Sequence, residues 1–409
     1  MEIIKVGLLK VTNQIGSVIT TVLLIAILSK ETYGLYAVLT SILLITLNTY
    51  NNGAAIVEAK RTAEENNLRP QLQKVLLLSI PIIVFEITLL YISLPSTVEN
   101  ITLIIIFSTY FCIENLKFFL SGHLRGQGKT QYGAILITMP SILLCGFIFL
   151  FKTSISEVHE VFLFKVTSSF LVIVYTVVKT NIKLSFTKTS PITQTTAQFV
   201  DGLKVGIASV SNQLNKNIGI LLLGSLMGFT AVTDYKISLL MAFPMTIPAF
   251  LMTTIMIRPI KLALTGHNKN NYKTKIIQVQ YSNILIYLPS VILILYINNI
   301  VAYLNLESKF IVNEYIAFTQ LTTLFIQNMF GPTNLLIHMQ NKSLTVMKIT
   351  TIGLAINIIV SYIMIIQIGI IGAVLGSLVS VAFVQVLGRH INNKLGVIQN
   401  GSVEILFKK

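Results

Sequence analysis

Two stretches of this chain carry amide, hydroxyl and cationic side chains at helical spacing inside otherwise apolar sequence. Asn13, Ser17 and Thr20 or Thr21 fall in the first, with Gln14 paired beside Asn13 as a further candidate contact; Ser209, Asn212, Gln213, Lys216 and Asn217 fall in the second. Spacings of three, four and seven residues put each set on one stripe of an α-helix. Within a membrane such a stripe has two readings: it glues neighbouring helices by hydrogen bonds, or it lines a watery path. Lys216 sharpens the choice. It lies about fourteen residues into its apolar segment, roughly 21 Å at 1.5 Å per residue. A cation at such depth costs about 2.5–3.5 kcal/mol on insertion scales. Lys216 must therefore face water, a carboxylate or an anionic ligand. The chemistry on offer is recognition of negative charge. The competing reading is a structural ion pair, with Glu86 as one candidate partner.

The two stretches are one helix written twice. Residues 5–24 and 204–223 align without a gap at an offset of 199, and nine of twenty positions are identical. The register continues to Tyr36 and Tyr235, and Lys216 answers to neutral Ser17. A weaker echo pairs Arg125-Gly126-Gln127-Gly128-Lys129 with His338-Met339-Gln340-Asn341-Lys342, at an offset of 213. Two matched halves, each opening with a polar-striped helix, predict a transporter with its pathway between the halves.

The elements that position these residues are membrane spans. The chain of 409 residues is 54% hydrophobic and 11% charged, with a mean hydropathy of +0.78. A soluble domain averages about 25% charged residues, so the bilayer must be the solvent here. Twelve spans are expected, near 5–28, 33–57, 71–94, 98–121, 131–152, 157–178, 202–226, 232–257, 274–297, 310–336, 343–366 and 369–391. The fold class expected is all-α: a polytopic membrane protein with twelve transmembrane helices in two pseudo-symmetric six-helix bundles. The bundles are residues 1–178 and 201–396. A Thr- and Ser-rich cytoplasmic linker, 179–200, joins them, and 397–409 form a cytoplasmic tail. The region 298–340 fits least well, because Asn298, Asn299, Glu307, Lys309 and Glu314 interrupt it.

The net charge of +15 is distributed as a topology signal rather than as a nucleic-acid surface. With the N-terminus inside, 23 of the 30 Lys and Arg fall in inner segments and only Lys30, Lys152 and Lys309 in outer loops. That bias places both termini in the cytoplasm. The first apolar stretch is interrupted by Asn13 and Gln14, so it reads as a retained span rather than a cleaved signal. Cys112 and Cys145 each sit in an apolar run without metal-type spacing and read as packing residues. There is no GxSxG, no P-loop, no HExxH and no aspartate cluster for magnesium. No enzyme activity, cofactor or metal is expected, and the driving force must be an ion or substrate gradient.

Four further sites bear ionisable groups. Lys165 in the sixth span is a candidate ligand residue that can alternatively snorkel outward. Glu114 and Lys117, three residues apart, are expected to pair with each other. Asp234 and Lys236 are expected to be solvated at the mouth of the eighth span. Glu86 has no local partner and is the ion-coupling candidate. Pro244 and Pro248 make the eighth span a candidate for a bend, as a rocking element or a kinked packing helix.

Three segments resemble a known family. Ser29-Lys30-Glu31-Thr32-Tyr33-Gly34-Leu35-Tyr36 resembles the first outer loop of the polysaccharide-exporter branch of the multidrug/oligosaccharidyl-lipid/polysaccharide exporter superfamily. Phe330-Gly331-Pro332 through Asn341-Lys342 resembles its tenth-span exit, and Ile368 through Gly376 its eleventh-to-twelfth-span turn. The twelve-span size is similar to Wzx-type O-antigen flippases. Lipid II flippases of the superfamily usually carry two more spans. The resemblance implies a flippase that moves undecaprenyl-pyrophosphate-linked oligosaccharide from the inner to the outer leaflet of a bacterial inner membrane, for O-antigen, lipopolysaccharide or capsule assembly. It implies a central cavity lined by the first, second, seventh and eighth spans, where Asn13, Asn212 and Lys216 fall. Partners would be the lipid-linked oligosaccharide, the bilayer, and a polysaccharide polymerase and chain-length regulator, with no nucleic acid. Two rivals remain open: a cation-coupled multidrug exporter, whose cavity should be acidic, and a membrane glycan polymerase, which usually needs a large outer loop that this chain lacks.

Overall fold

The computed structural model describes residues 2–64, 101–182, 210–246 except 212, 248, 269–303, 311–339 except 332, and 342–394. Among these the secondary structure is helical, and the polytopic all-α fold class expected from the sequence is the one observed. Six described helices are long and apolar enough to cross a bilayer. The chain falls into two compact units, Met1–Gln213 and Leu214–Lys409. The third expected span, most of the linker and the tail lie outside the described residues.

The first unit contains α1 (Glu2–Ile27), α2 (Lys30–Glu64), α3 (Ile101–Gly126), α4 (Thr130–Leu150) and α5 (Val158–Thr180). Its helix ends follow local chemistry. Ser29 Oγ accepts from the Thr32 amide at 3.1 Å, and Glu31 sits in the first turn of α2. Both satisfy or complement the free amides of a helix N-terminus. Glu157 and Glu160 form a capping box at the start of α5, and Asn181 closes its end at φ +52°. The α3–α4 turn passes through Gly128 at φ +76°, where a side chain would strain the backbone. Leu120, Leu124, Leu136, Val172 and Ile173 pack α3, α4 and α5 together. Phe149, Phe170 and Val178 point outward and are exposed. In water such a surface would be a liability; in lipid it is the solvated face.

Helix α6 (213–226) begins on the last residue of the first unit and otherwise belongs to the second, which also contains α7 (Phe229–Leu240), α8 (Lys269–Tyr303), α9 (Glu314–Met329), α10 (Thr333–Met339), α11 (Ser343–Ile368) and α12 (Ile371–Lys394). Two expected spans are not single helices. The eighth stops at Leu240 and continues through a 3-10 turn, Phe243–Met245, centred on Pro244. Proline removes a backbone donor and crowds the preceding turn. The tenth stops at Met329, turns at Gly331 with φ +78°, and restarts as α10. Asn298 acts as a staple between elements. Asn298 donates to the Val312 carbonyl at 3.0 Å and accepts from the Val312 amide at 2.9 Å, while Asn313 caps α9.

The repeat is visible in how each opening helix packs. Gly16 of α1 lies against Ile142 of α4, the fifth span. Its counterpart at the offset of 199, Asn215 of α6, accepts at Oδ1 from Asn357 Nδ2 of α11, the eleventh span, at 2.6 Å.

Helices α11 and α12 approach closely through glycine. A Cβ on Gly376 would lie 2.7 Å from the backbone nitrogen of Ser361, and one on Gly372 would strike the backbone of Met364 and Ile365. By contrast, a Cβ on Gly146 of α4 meets nothing within 4 Å. Gly376→Ala is therefore expected to destabilise the protein by about 1–3 kcal/mol through overpacking, whereas Gly146→Ala should be neutral or slightly stabilising. Thermal unfolding of the two variants in detergent, read against the parent, checks the contrast.

Candidate functional site

In the first unit the polar groups run as a column among α2, α3 and α5. At one end Lys165 of α5 is 8% exposed. Its Nζ lies 4.6 Å from the ring centre of Tyr36, 5.0 Å from Phe162 and 5.6 Å from Tyr110. It therefore sits under aromatic faces from three helices. Next in the column, the Glu114 carboxylate pairs with Lys117, as their spacing predicts, and accepts from Ser169 Oγ at 2.8 Å. At the other end His123 is fully buried. Its Nδ1 lies 3.1 Å from Glu58 Oε1, and its Nε2 lies 3.1 Å from Gln127 Nε2. An Nδ1–H donor to Glu58, with Nε2 accepting from the Gln127 amide, satisfies both contacts.

The stripe of α1 is uneven. Ser17 is exposed, Asn13 is half-buried and Thr20 is buried. Asn13 Oδ1 and Thr20 Oγ1 are buried acceptors without a hydrogen-bond partner among the described residues. Thr21 spends its hydroxyl on the Ser17 carbonyl at 2.8 Å. Gln14 lies in α1, and nothing further is described for its side chain.

In the second unit Lys216 is exposed, and among the described residues no carboxylate pairs with it. Gln213 is half-buried, Asn217 is buried, and both are engaged within the fold. Asp234 and Lys236, expected to be solvated, are half-buried, because α7 packs on both sides around buried Tyr235 and Val232. Asn212, Ser209 and Glu86 lie outside the described residues.

Two amide networks of the second unit escaped the sequence reading. Asn357 donates to Asn215, Ser361 donates to Asn357 at 2.8 Å, and Ser380 donates to Asn215 at 3.1 Å. Around the broken helices, Asn328 donates to the Met245 carbonyl at 3.0 Å and to Asn283 Oδ1 at 3.2 Å. Asn283 donates to the Phe325 carbonyl and Gln280 to the Met329 carbonyl. The signal available was asparagine and glutamine inside apolar spans, which marks a polar contact without naming its partner. Among the described residues no group of His, Cys, Asp and Glu is arranged to hold a metal ion.

The described residues form a helical framework with buried polar clusters, six of its helices being long and apolar enough to cross a bilayer. Solved structures share the fold. Lipid II flippase MurJ in an inward closed conformation matches with a TM-score of 0.73 and 15% identity, over 99% of this chain and 92% of that one. A multidrug resistance MATE family transporter of the MOP superfamily matches in its inward-facing conformation with a TM-score of 0.68 and 16% identity, over 95% and 96% of the two chains. The outward-facing conformation of a transporter so described matches at 0.64 and 16%, over 97% of each chain. At these identities the likeness is one of fold. Residues 2–256 match the family described as Polysaccharide biosynthesis protein, and the chain belongs to that family. No curated protein matches it in sequence.

The buried pair sets a stability test. Lys117→Met leaves Glu114 charged without its cation, at a cost of about 3–5 kcal/mol. Membrane abundance and melting temperature should fall. Adding Glu114→Gln to Lys117→Met should recover most of the loss. A double-mutant cycle in detergent measures the coupling, and strictly additive losses would contradict the pairing.

Proposed function

We propose that this protein is a flippase that carries undecaprenyl-pyrophosphate-linked oligosaccharide units from the inner to the outer leaflet of a bacterial inner membrane. The units would feed O-antigen, lipopolysaccharide or capsule assembly. The observation that carries this reading is membership of the polysaccharide biosynthesis family over residues 2–256. The fold shared with a lipid II flippase is consistent with a lipid-linked cargo. In this reading both termini are cytoplasmic, and a polymerase and chain-length regulator act on the delivered units. The fold also accommodates a multidrug exporter. The family supports the glycan cargo over that alternative.

The proposed substrate contacts are Lys216, Asn212, Gln213 and Asn217 in the second half and Asn13, Gln14 and Ser17 in the first. Lys216 is the central one. Lys216, an exposed residue with no carboxylate partner among the described residues, suits a pyrophosphate or an acidic sugar. Glu86 is the proposed ion-coupling residue.

Deleting the protein should leave lipid-linked repeat units on the cytoplasmic leaflet and stop polymerisation for want of substrate. Units reaching the outer leaflet normally in the deletion strain would overturn the reading, and a gain in drug sensitivity alone would favour the exporter. Within the protein, Lys216→Ala should reduce surface polysaccharide at near-normal membrane abundance. Lys216→Arg should keep much of the activity, because the positive charge is retained. If Lys216 were instead half of a structural ion pair, Lys216→Ala would be scarce in the membrane. Full export by Lys216→Ala would reject both roles.

A further inference from the structure

Lys165 is more than nine-tenths buried, yet its ammonium has neither a carboxylate nor a hydrogen-bond acceptor among the described residues. It has three N–H donors and, among the described residues, the contacts of its ammonium are π faces. The rings that surround it hold one another in place. Tyr36 and Phe162 lie 5.7 Å apart between centroids, and Tyr110 and Phe162 lie 5.9 Å apart. Phe107 buttresses Phe162 edge-on at 5.1 Å, and Tyr33 backs Tyr36 at 6.0 Å. The cage is therefore assembled by aromatic packing from α2, α3 and α5 and does not need the lysine to exist.

Three rings around one nitrogen, with no acceptor for an N–H, is the chemistry that selects alkylated ammonium groups. A primary ammonium leaves its donors unspent there; a quaternary one has none to spend. We propose that Lys165 is a specificity-determining residue: its tethered ammonium occupies a preformed receptor for organic cations, built by Tyr36, Tyr110 and Phe162, and closes the first unit to cationic amphiphiles. The closure holds whichever cargo the protein exports, so the inference does not depend on the flippase reading. It does bear on selectivity. A protein that handles anionic lipid-linked glycans gains by excluding the cationic amphiphiles that share the bilayer with them.

Lys165→Ala tests this directly. The substitution removes three methylenes and the ammonium, a volume close to that of tetramethylammonium. The full-length protein in nanodiscs is titrated with tetramethylammonium chloride, with sodium chloride at equal concentration as the control. The melting temperature of Lys165→Ala should rise saturably by several degrees, as expected for a ligand that binds the folded state alone. The parent should not respond, and adding Tyr36→Leu to Lys165→Ala should abolish the response. No saturable rise in Lys165→Ala, or an equal rise in the parent, overturns the proposal. If Lys165→Ala is too unstable to purify, cell-free synthesis into nanodiscs with and without tetramethylammonium supplies the readout. Recovery of folded protein by the cation supports the cage, and a yield indifferent to it counts against it.

Discussion

Lipid offers no hydrogen bonds, and the second unit is organised around that fact. A helix satisfies its own amides and carbonyls, but every interruption at membrane depth frees some of them. This chain breaks two spans, at Pro244 and at Gly331. Two freed carbonyls are met by amide side chains from neighbouring helices, Met245 by Asn328 and Met329 by Gln280, while Asn283 ties Asn328 in place and adds a donor to the Phe325 carbonyl. Asn298 does the same for both backbone groups of Val312. Four amide residues thus make irregular backbone tolerable where hydrocarbon would not. The breaks persist because α8 and α9 carry the right donors at the right heights.

Charge follows a related rule, with different outcomes in the two units. The first unit answers its buried charges internally: Glu114 with Lys117 and Ser169, Glu58 with His123, and Lys165 with aromatic faces. In the second, Lys216 is exposed and unpaired among the described residues. A cation left bare is costly in lipid and cheap only in water or against an anion. That difference separates a lysine enclosed by its own fold from one available to something else.

Much of this was legible in the sequence, for definite reasons. The duplication shows because Lys5, Gly7, Asn13 and Gln14 recur at one fixed offset. The spans show because bilayer thickness sets a minimum apolar length. The Glu114–Lys117 pair shows because three residues bring two side chains to one helix face. The break in the eighth span shows in its prolines, and the chain does leave the α-helix at Pro244; the break after Met329 does not show, since hydropathy is blind to where hydrogen bonding stops. The cage around Lys165 does not show either, because its rings come from three helices distant in sequence. The stripe on α6 shows as a set of polar residues, but not that Gln213 and Asn217 are engaged within the fold while Lys216, one step around the helix, is exposed. Half-buried Asp234 and Lys236 were misjudged because a short polar cluster near a span end looks solvated until its packing is known.

The contact between α11 and α12 is held by steric detail at Gly372 and Gly376, with Ser361 seated opposite Gly376 and donating to Asn357. Such a contact resists gradual slippage. Moving one helix along the other by a single residue would bring a side chain onto backbone before any new notch is reached. Displacement along this seam can then only be stepwise, by about one helical turn of 5.4 Å, or not at all. The pair behaves as a gear with its teeth engaged. Any motion of the second unit must carry α11 and α12 as one rod, and flexing has to be taken up where Pro244 and Gly331 have already interrupted the helices.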